Sequence, residues 1–89
     1  MAWAIRYNDR ALRALKRLDP VVQGRITAFL DNRVAVLENP KQIGEALTGG
    51  LRGLWRYRVG DYRIICDIKA QAITVVVVAV GHRSRIYDR

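Results

Sequence analysis

Two residues, Gly60-Asp61, join the runs LWRYRV (54–59) and YRIICDIK (62–69), in which apolar and charged side chains alternate. A two-residue join containing glycine between such runs predicts a β-hairpin, and a turn that short leaves one register. Val59 then faces Tyr62, Arg58 faces Arg63 and Tyr57 faces Ile64. Side chains alternate along a strand, so Trp55, Tyr57 and Val59 point one way while Arg56 and Arg58 point the other. Arg58 and Arg63 are therefore opposed on one face, with Arg56 two residues along. Like charges directly opposed weaken a hairpin by a few tenths to about 1 kcal/mol. An anion seated between the guanidinium groups reverses that loss. The bland alternative is a solvated face whose arginines lean apart in water. Three arginines on one face, in a chain of net charge +8, favour an anion site.

The remaining elements follow from periodicity. Trp3, Ile5 and Tyr7 alternate with Ala4 and Arg6, predicting a first strand over 2–7. Asn8 or Asp9 caps a helix that places Ala11, Leu12, Leu15 and Leu18 on one face. Asp19-Pro20 opens a second helix, with aspartate at the N-cap and proline in the first position. Its apolar residues Val22, Ile26, Phe29, Leu30, Val34 and Leu37 carry it over 20–38, to Asn39-Pro40. Residues 41–50 read as a loop. Strands follow over 52–59, 62–69 and 73–80, and the last, ITVVVVAV, is apolar on both faces and so belongs inside the sheet. The order is β-α-α-β-β-β. The expected fold is α+β, a two-helix hairpin packed on one face of a mostly antiparallel four-stranded sheet.

The chain, 1–89, is long enough for a single domain. Thirteen of its sixteen basic residues are arginine, whose planar fork of donors suits phosphate, so a polyanion is the first partner inferred. Residues 51–89 carry net +5 and residues 1–50 net +3, so the charge leans toward the hairpin and tail. One cysteine and one histidine make no metal site, and no cofactor is expected. Cys66 lies in an apolar strand pattern and reads as a core thiol. A lone cysteine without a signal peptide points to a reducing, cytoplasmic setting. The longest apolar run is too short to span a bilayer, so no membrane partner is expected. Trp3, Trp55 and Tyr57 fall on apolar faces and read as core.

The tail GHRSRIYDR (81–89) supplies His82, Arg83, Arg85, Tyr87 and Arg89 just beyond the inner strand. His82 is the one side chain that ordinarily titrates near neutrality; it also reads as a surface histidine. Tyr87 either stacks on a base or tethers the tail to the core.

Asn39-Pro40, Leu47 to Gly49, the run Trp55-Arg56-Tyr57-Arg58-Val59-Gly60-Asp61-Tyr62-Arg63, and Val80-Gly81-His82-Arg83 with Ile86-Tyr87 together resemble the RelE side of the RelE/ParE toxin superfamily. The likeness covers nearly the whole chain. It implies a type II toxin that enters the ribosomal A site and cuts mRNA, through attack of a ribose 2′-OH on the adjacent phosphate to leave a cyclic phosphate. It also implies a cognate acidic, RelB-like antitoxin, and a catalytic set of Arg56, Arg58, Arg63, Arg83 and Tyr87. Arg52, Arg85 and Arg89 are the expected RNA-binding residues around it. Arg56 and Arg58 stand where lysine is common in the family. Arginine does not readily lose its proton, so these two are expected to bind phosphate, and His82 becomes the candidate general base. Glu45 also departs from the lysine many relatives carry. The alternatives are a ParE-type toxin that inhibits DNA gyrase by binding, with no nuclease activity, and a basic RNA-binding module without activity.

Overall fold

The computed structural model describes residues 2–86. Five strands form one sheet: β1 (Ala4–Tyr7), β2 (Glu45–Ala46), β3 (Trp55–Val59), β4 (Tyr62–Lys69) and β5 (Thr74–His82). Their spatial order is β1-β5-β4-β3-β2. β1 runs parallel to β5, with Ala4 paired to Thr74, and all other pairings are antiparallel. The α+β class and the interior place of β5 are as expected. The strand count is corrected from four to five. β2 is only two residues long, and a strand that short carries no alternation to read.

Two helices cover one face. Asn8 caps α1 (Asp9–Lys16), its Oδ1 accepting from the Ala11 amide at 2.8 Å. Asp19 caps α2 (Pro20–Phe29), its Oδ1 accepting from the Val21 amide at 2.8 Å. The predicted helix over 20–38 stops early. After Phe29 the chain makes a single π turn, Leu30–Val34, closed by the Ala35 amide on the Leu30 carbonyl at 2.9 Å. The carbonyls beyond it serve the first strand's approach. Ala35 accepts from the Trp3 amide at 2.8 Å, and Glu38 accepts from the Trp3 indole at 3.2 Å. Those bonds replace the next helical turn.

The core lies between the helices and the sheet. Ala11, Leu15, Ile26, Leu30 and Val34 meet Tyr57, Ile64, Cys66, Val75 and Val77. Tyr57 is fully buried, while Trp3 and Trp55 are half-buried. Ile65 pairs with Ala79 but Cys66 with Val77, so Val78 is an extra residue on β5. Such a bulge bends and twists the strand carrying it. Beyond Tyr7 the chain leaves the sheet for α1, and β1 pairs with β5 only through Val77.

Candidate functional site

The hairpin takes the register its turn demands. Arg58 pairs with Arg63, Val59 with Tyr62 and Tyr57 with Ile64. Gly60 adopts φ +58°, a conformation that other residues adopt only at a cost in strain. Phe29 of α2 meets the Tyr57 ring edge-on at 6.1 Å, so the Tyr57 side of β3 is the helix-covered one. By alternation, Arg56, Arg58 and Arg63 share the open face.

Their guanidinium groups are held differently. Arg63 Nη1 donates to the Gly60 and Tyr62 carbonyls, both at 3.1 Å, which folds its head back over the turn. Arg83 arrives at the same turn. Its amide donates to the Asp61 carbonyl at 2.8 Å, and its Nε lies 3.7 Å from Asp61 Oδ1. The backbone bond, more than this exposed ion pair, fixes its place. Arg58, Arg63 and Arg83 thus gather at the turn end of the sheet.

A carboxylate shares this face. β2 sets Glu45 directly opposite Arg56. Glu45 Oε1 accepts from Arg56 Nη2 at 2.9 Å, from Arg56 Nε at 3.1 Å and from Arg58 Nε at 3.1 Å. All three bonds converge on one oxygen; among the described residues, Oε2 accepts none. The hydrogen bond from Arg56 is the main cause holding this carboxyl below its ordinary range, and the charges of Arg56 and Arg58 act in the same direction. The sequence signal for Glu45 is faint, namely its place after Gly44 in a ten-residue stretch read as loop.

His82 is the second correction. It pairs with Tyr62, which pairs with Val59, so its ring belongs to the helix side of the sheet. It stands edge-on to the Tyr62 ring at 5.6 Å. This alternation puts the ring on the side of the sheet opposite Arg56, Arg58 and Arg63, whereas the expectation had it beside them. The ring is also committed. Nδ1 accepts from the Ser84 amide at 3.2 Å and lies 2.8 Å from Ser84 Oγ. With Nδ1 accepting, the proton of the neutral ring sits on Nε2, leaving neither nitrogen as an open base.

The remaining expected residues disperse. Arg52 is exposed beside the 3-10 turn Gly49–Leu51, at the end of β3 away from the hairpin turn. Arg85 lines a separate groove of about 360 Å³ with Arg10, Leu18, Tyr62, His82 and Ile86. That groove lies where β5 runs on past β1 alongside α1. Ile86 seats against Gly81, where a Cβ would meet its Cδ1 at 3.1 Å. Tyr87 and Arg89 lie outside the described residues. The open face therefore combines donors suited to a phosphate with one ionised carboxylate beside them. That pairing can stabilise a developing phosphorane and accept a proton from a nearby hydroxyl.

Residues 5–87 match the family described as ParE toxin of the type II toxin–antitoxin system parDE. Toxin RelG of Mycobacterium tuberculosis is 30% identical over 89 residues, covering 100% of both chains. Among solved structures, the RelBE2 toxin–antitoxin complex of M. tuberculosis superposes with a TM-score of 0.85 at 27% identity, covering 94% of each chain. A mutant of E. coli toxin RelE in the free state superposes with a TM-score of 0.75 at 25% identity, covering 98% of this chain and 92% of that one.

Proposed function

Because the chain belongs to the ParE toxin family of type II toxin–antitoxin systems, we propose that it acts as a RelE-type toxin, a ribosome-dependent endoribonuclease that cuts mRNA in the A site and stops translation. The observation that carries this reading is the opposed Arg58–Arg63 pair on an open sheet face, with Arg83 docked on the same turn. An anion-binding face of that kind suits a scissile phosphate better than an apolar protein contact. The whole-length likeness to Toxin RelG also supports it.

In this reading the ribose 2′-oxygen attacks the adjacent phosphorus as its proton passes to Glu45. The P–O5′ bond breaks, leaving a 2′,3′-cyclic phosphate, and solvent protonates the departing 5′-oxygen. Arg58, Arg63 and Arg83 bind the charge that builds on the phosphoryl oxygens. Arg56 orients Glu45 by pinning Oε1, which leaves Oε2 open to take the proton. Glu45 replaces His82 as general base because it is ionised and on the right face. Tyr87 keeps the place among the catalytic residues that the resemblance implies. Arg52, Arg85 and Arg89 serve as peripheral RNA contacts.

The partner that silences the toxin is a cognate acidic antitoxin of the RelB kind, as in the RelBE2 complex of M. tuberculosis. Net charge +8 gives such a partner a steering field that salt screens. Action on ribosomes places the protein in the cytoplasm. Induction in cells followed by mapping of mRNA 5′ ends tests the reading. Cuts at a fixed phase within codons are expected. Intact mRNA with arrested replication would instead identify a gyrase inhibitor of the ParE type.

A further inference from the structure

Glu45 sits on a strand of two residues at the sheet edge, and two backbone pairings are a weak hold for a side chain that must be aimed. The segment before it, Asn39 to Gly44, is anchored from the other side of the sheet. The Tyr57 hydroxyl, wholly buried, donates to the Pro40 carbonyl at 2.6 Å. Pro40 is itself buried. The segment is a closed 3-10 turn in which Asn39 Oδ1 accepts from the Lys41 amide at 3.0 Å and the Gly44 amide donates to the Lys41 carbonyl at 3.2 Å. Gly44 then lies flat on two rings. A Cβ there would stand 3.2 Å from Tyr57 Cε1 and 3.3 Å from Trp55 Cε3. Lys41 Nζ lies 5.4 Å from the centre of the Trp55 ring. The chain leaves this clamp directly into Glu45.

We propose that Tyr57 is a positioning residue, which from the buried face of β3 holds the Pro40–Gly44 segment so that Glu45 lands on Arg56 and Arg58 on the opposite face. One strand thereby supplies both the guanidinium groups and the brace for their carboxylate. Burial raises the Tyr57 phenol well above its ordinary range, so it remains a donor at any working pH. Among the described residues, the charged groups facing Glu45 are Arg56 and Arg58, both from β3. The effect on cleavage rests on the role given to Glu45 above; the effect on the position of Glu45 does not.

Tyr57→Phe keeps the ring and removes the bond. Carbon-13 NMR titration of the Glu45 side-chain carboxyl should show its pKa rising toward the ordinary carboxylate value. Single-turnover cleavage on programmed ribosomes should fall about a hundredfold, the scale of an ångström's misplacement, with ribosome binding unchanged. Gly44→Ala, which leaves the hydroxyl intact but pushes the segment off the rings, should move the same titration, and it decides the matter should Tyr57→Phe fail to fold. A Glu45 titration unchanged in folded variants overturns the positioning role, since lost stability alone does not move it. A shifted titration with undiminished cleavage supports the positioning role and removes Glu45 from the chemistry.

Discussion

The two faces of the sheet are made from the same strands and obey opposite rules. Toward the helices, Tyr57, Ile64, Cys66, Val75 and Val77 are fully buried, and the Tyr57 hydroxyl has its acceptor. On the open face, Arg58 opposes Arg63, and Glu45 offers one oxygen to three donors. The buried face holds the fold together by removing apolar surface from water. The open face sets like charges opposite each other, at a cost the covered face must offset. Residues gathered against their own stability are there for something outside the chain.

Substitutions separate the two faces, and the largest effect is expected at Glu45. Glu45→Gln should slow single-turnover cleavage roughly a hundred- to ten-thousandfold, the range of a general base, with the fold intact by circular dichroism. The wild-type rate should stay level through neutrality and fall only as acid protonates Glu45, below the ordinary carboxylate range, since the arginines favour its ionised form. A rate that instead survives Glu45→Gln and is lost in His82→Gln would return the proton to histidine.

Next come Arg63→Ala and Arg83→Ala. In the proposed mechanism each removes a preorganised donor to the phosphorane, and the rate should fall about a hundred- to a thousandfold. The check is cleavage by soluble, folded variants; full activity would exclude the turn end of the sheet as the site.

The buried face should announce itself in alkali. Burial pushes the Cys66 thiol far above its ordinary range, so the folded state keeps a proton that the unfolded chain loses above about pH 8.5. Stability is therefore intact below that pH and declines above it by about 1.4 kcal/mol per pH unit. Urea titrations at several alkaline pH values measure that slope, and Cys66→Ala should flatten it until the buried tyrosines join near pH 10. Tyr7, raised to about 12 chiefly by burial, is one of them.

The smallest effect has the opposite sign. Arg63→Thr relieves the opposed pair and should stabilise the fold by a few tenths to about 1 kcal/mol, while slowing cleavage as Arg63→Ala does. A urea midpoint that rises with an unchanged slope would show it.

The arginine face was legible because two strong local rules meet there. A Gly-Asp turn of two residues sets the register, and alternation assigns the faces. Alternation carried through β5 puts His82 on the helix side, but that requires the β4–β5 pairing, which no short turn specifies. Glu45 was hidden for a related reason, since a two-residue strand has no period and the segment leading into it is held at Pro40 by Tyr57, seventeen residues further on. The end of α2 was misread because its apolar spacing continues past Val34, while Trp3 claims the carbonyls there. The parallel ladder between β1 and β5 joins residues seventy apart and leaves no local mark.

That ladder also sets a clock. The hairpin and its arginines can form from contiguous chain within microseconds, but β1 has no partner until β5 has been made. Synthesis at roughly 5–20 residues per second leaves the first strand waiting for seconds. Contacts that close so long a loop are slow to form and come late. The nascent chain therefore carries its charge before it has its architecture. A partner that recognises the basic hairpin can meet it while the opposite edge of the sheet is still unfinished.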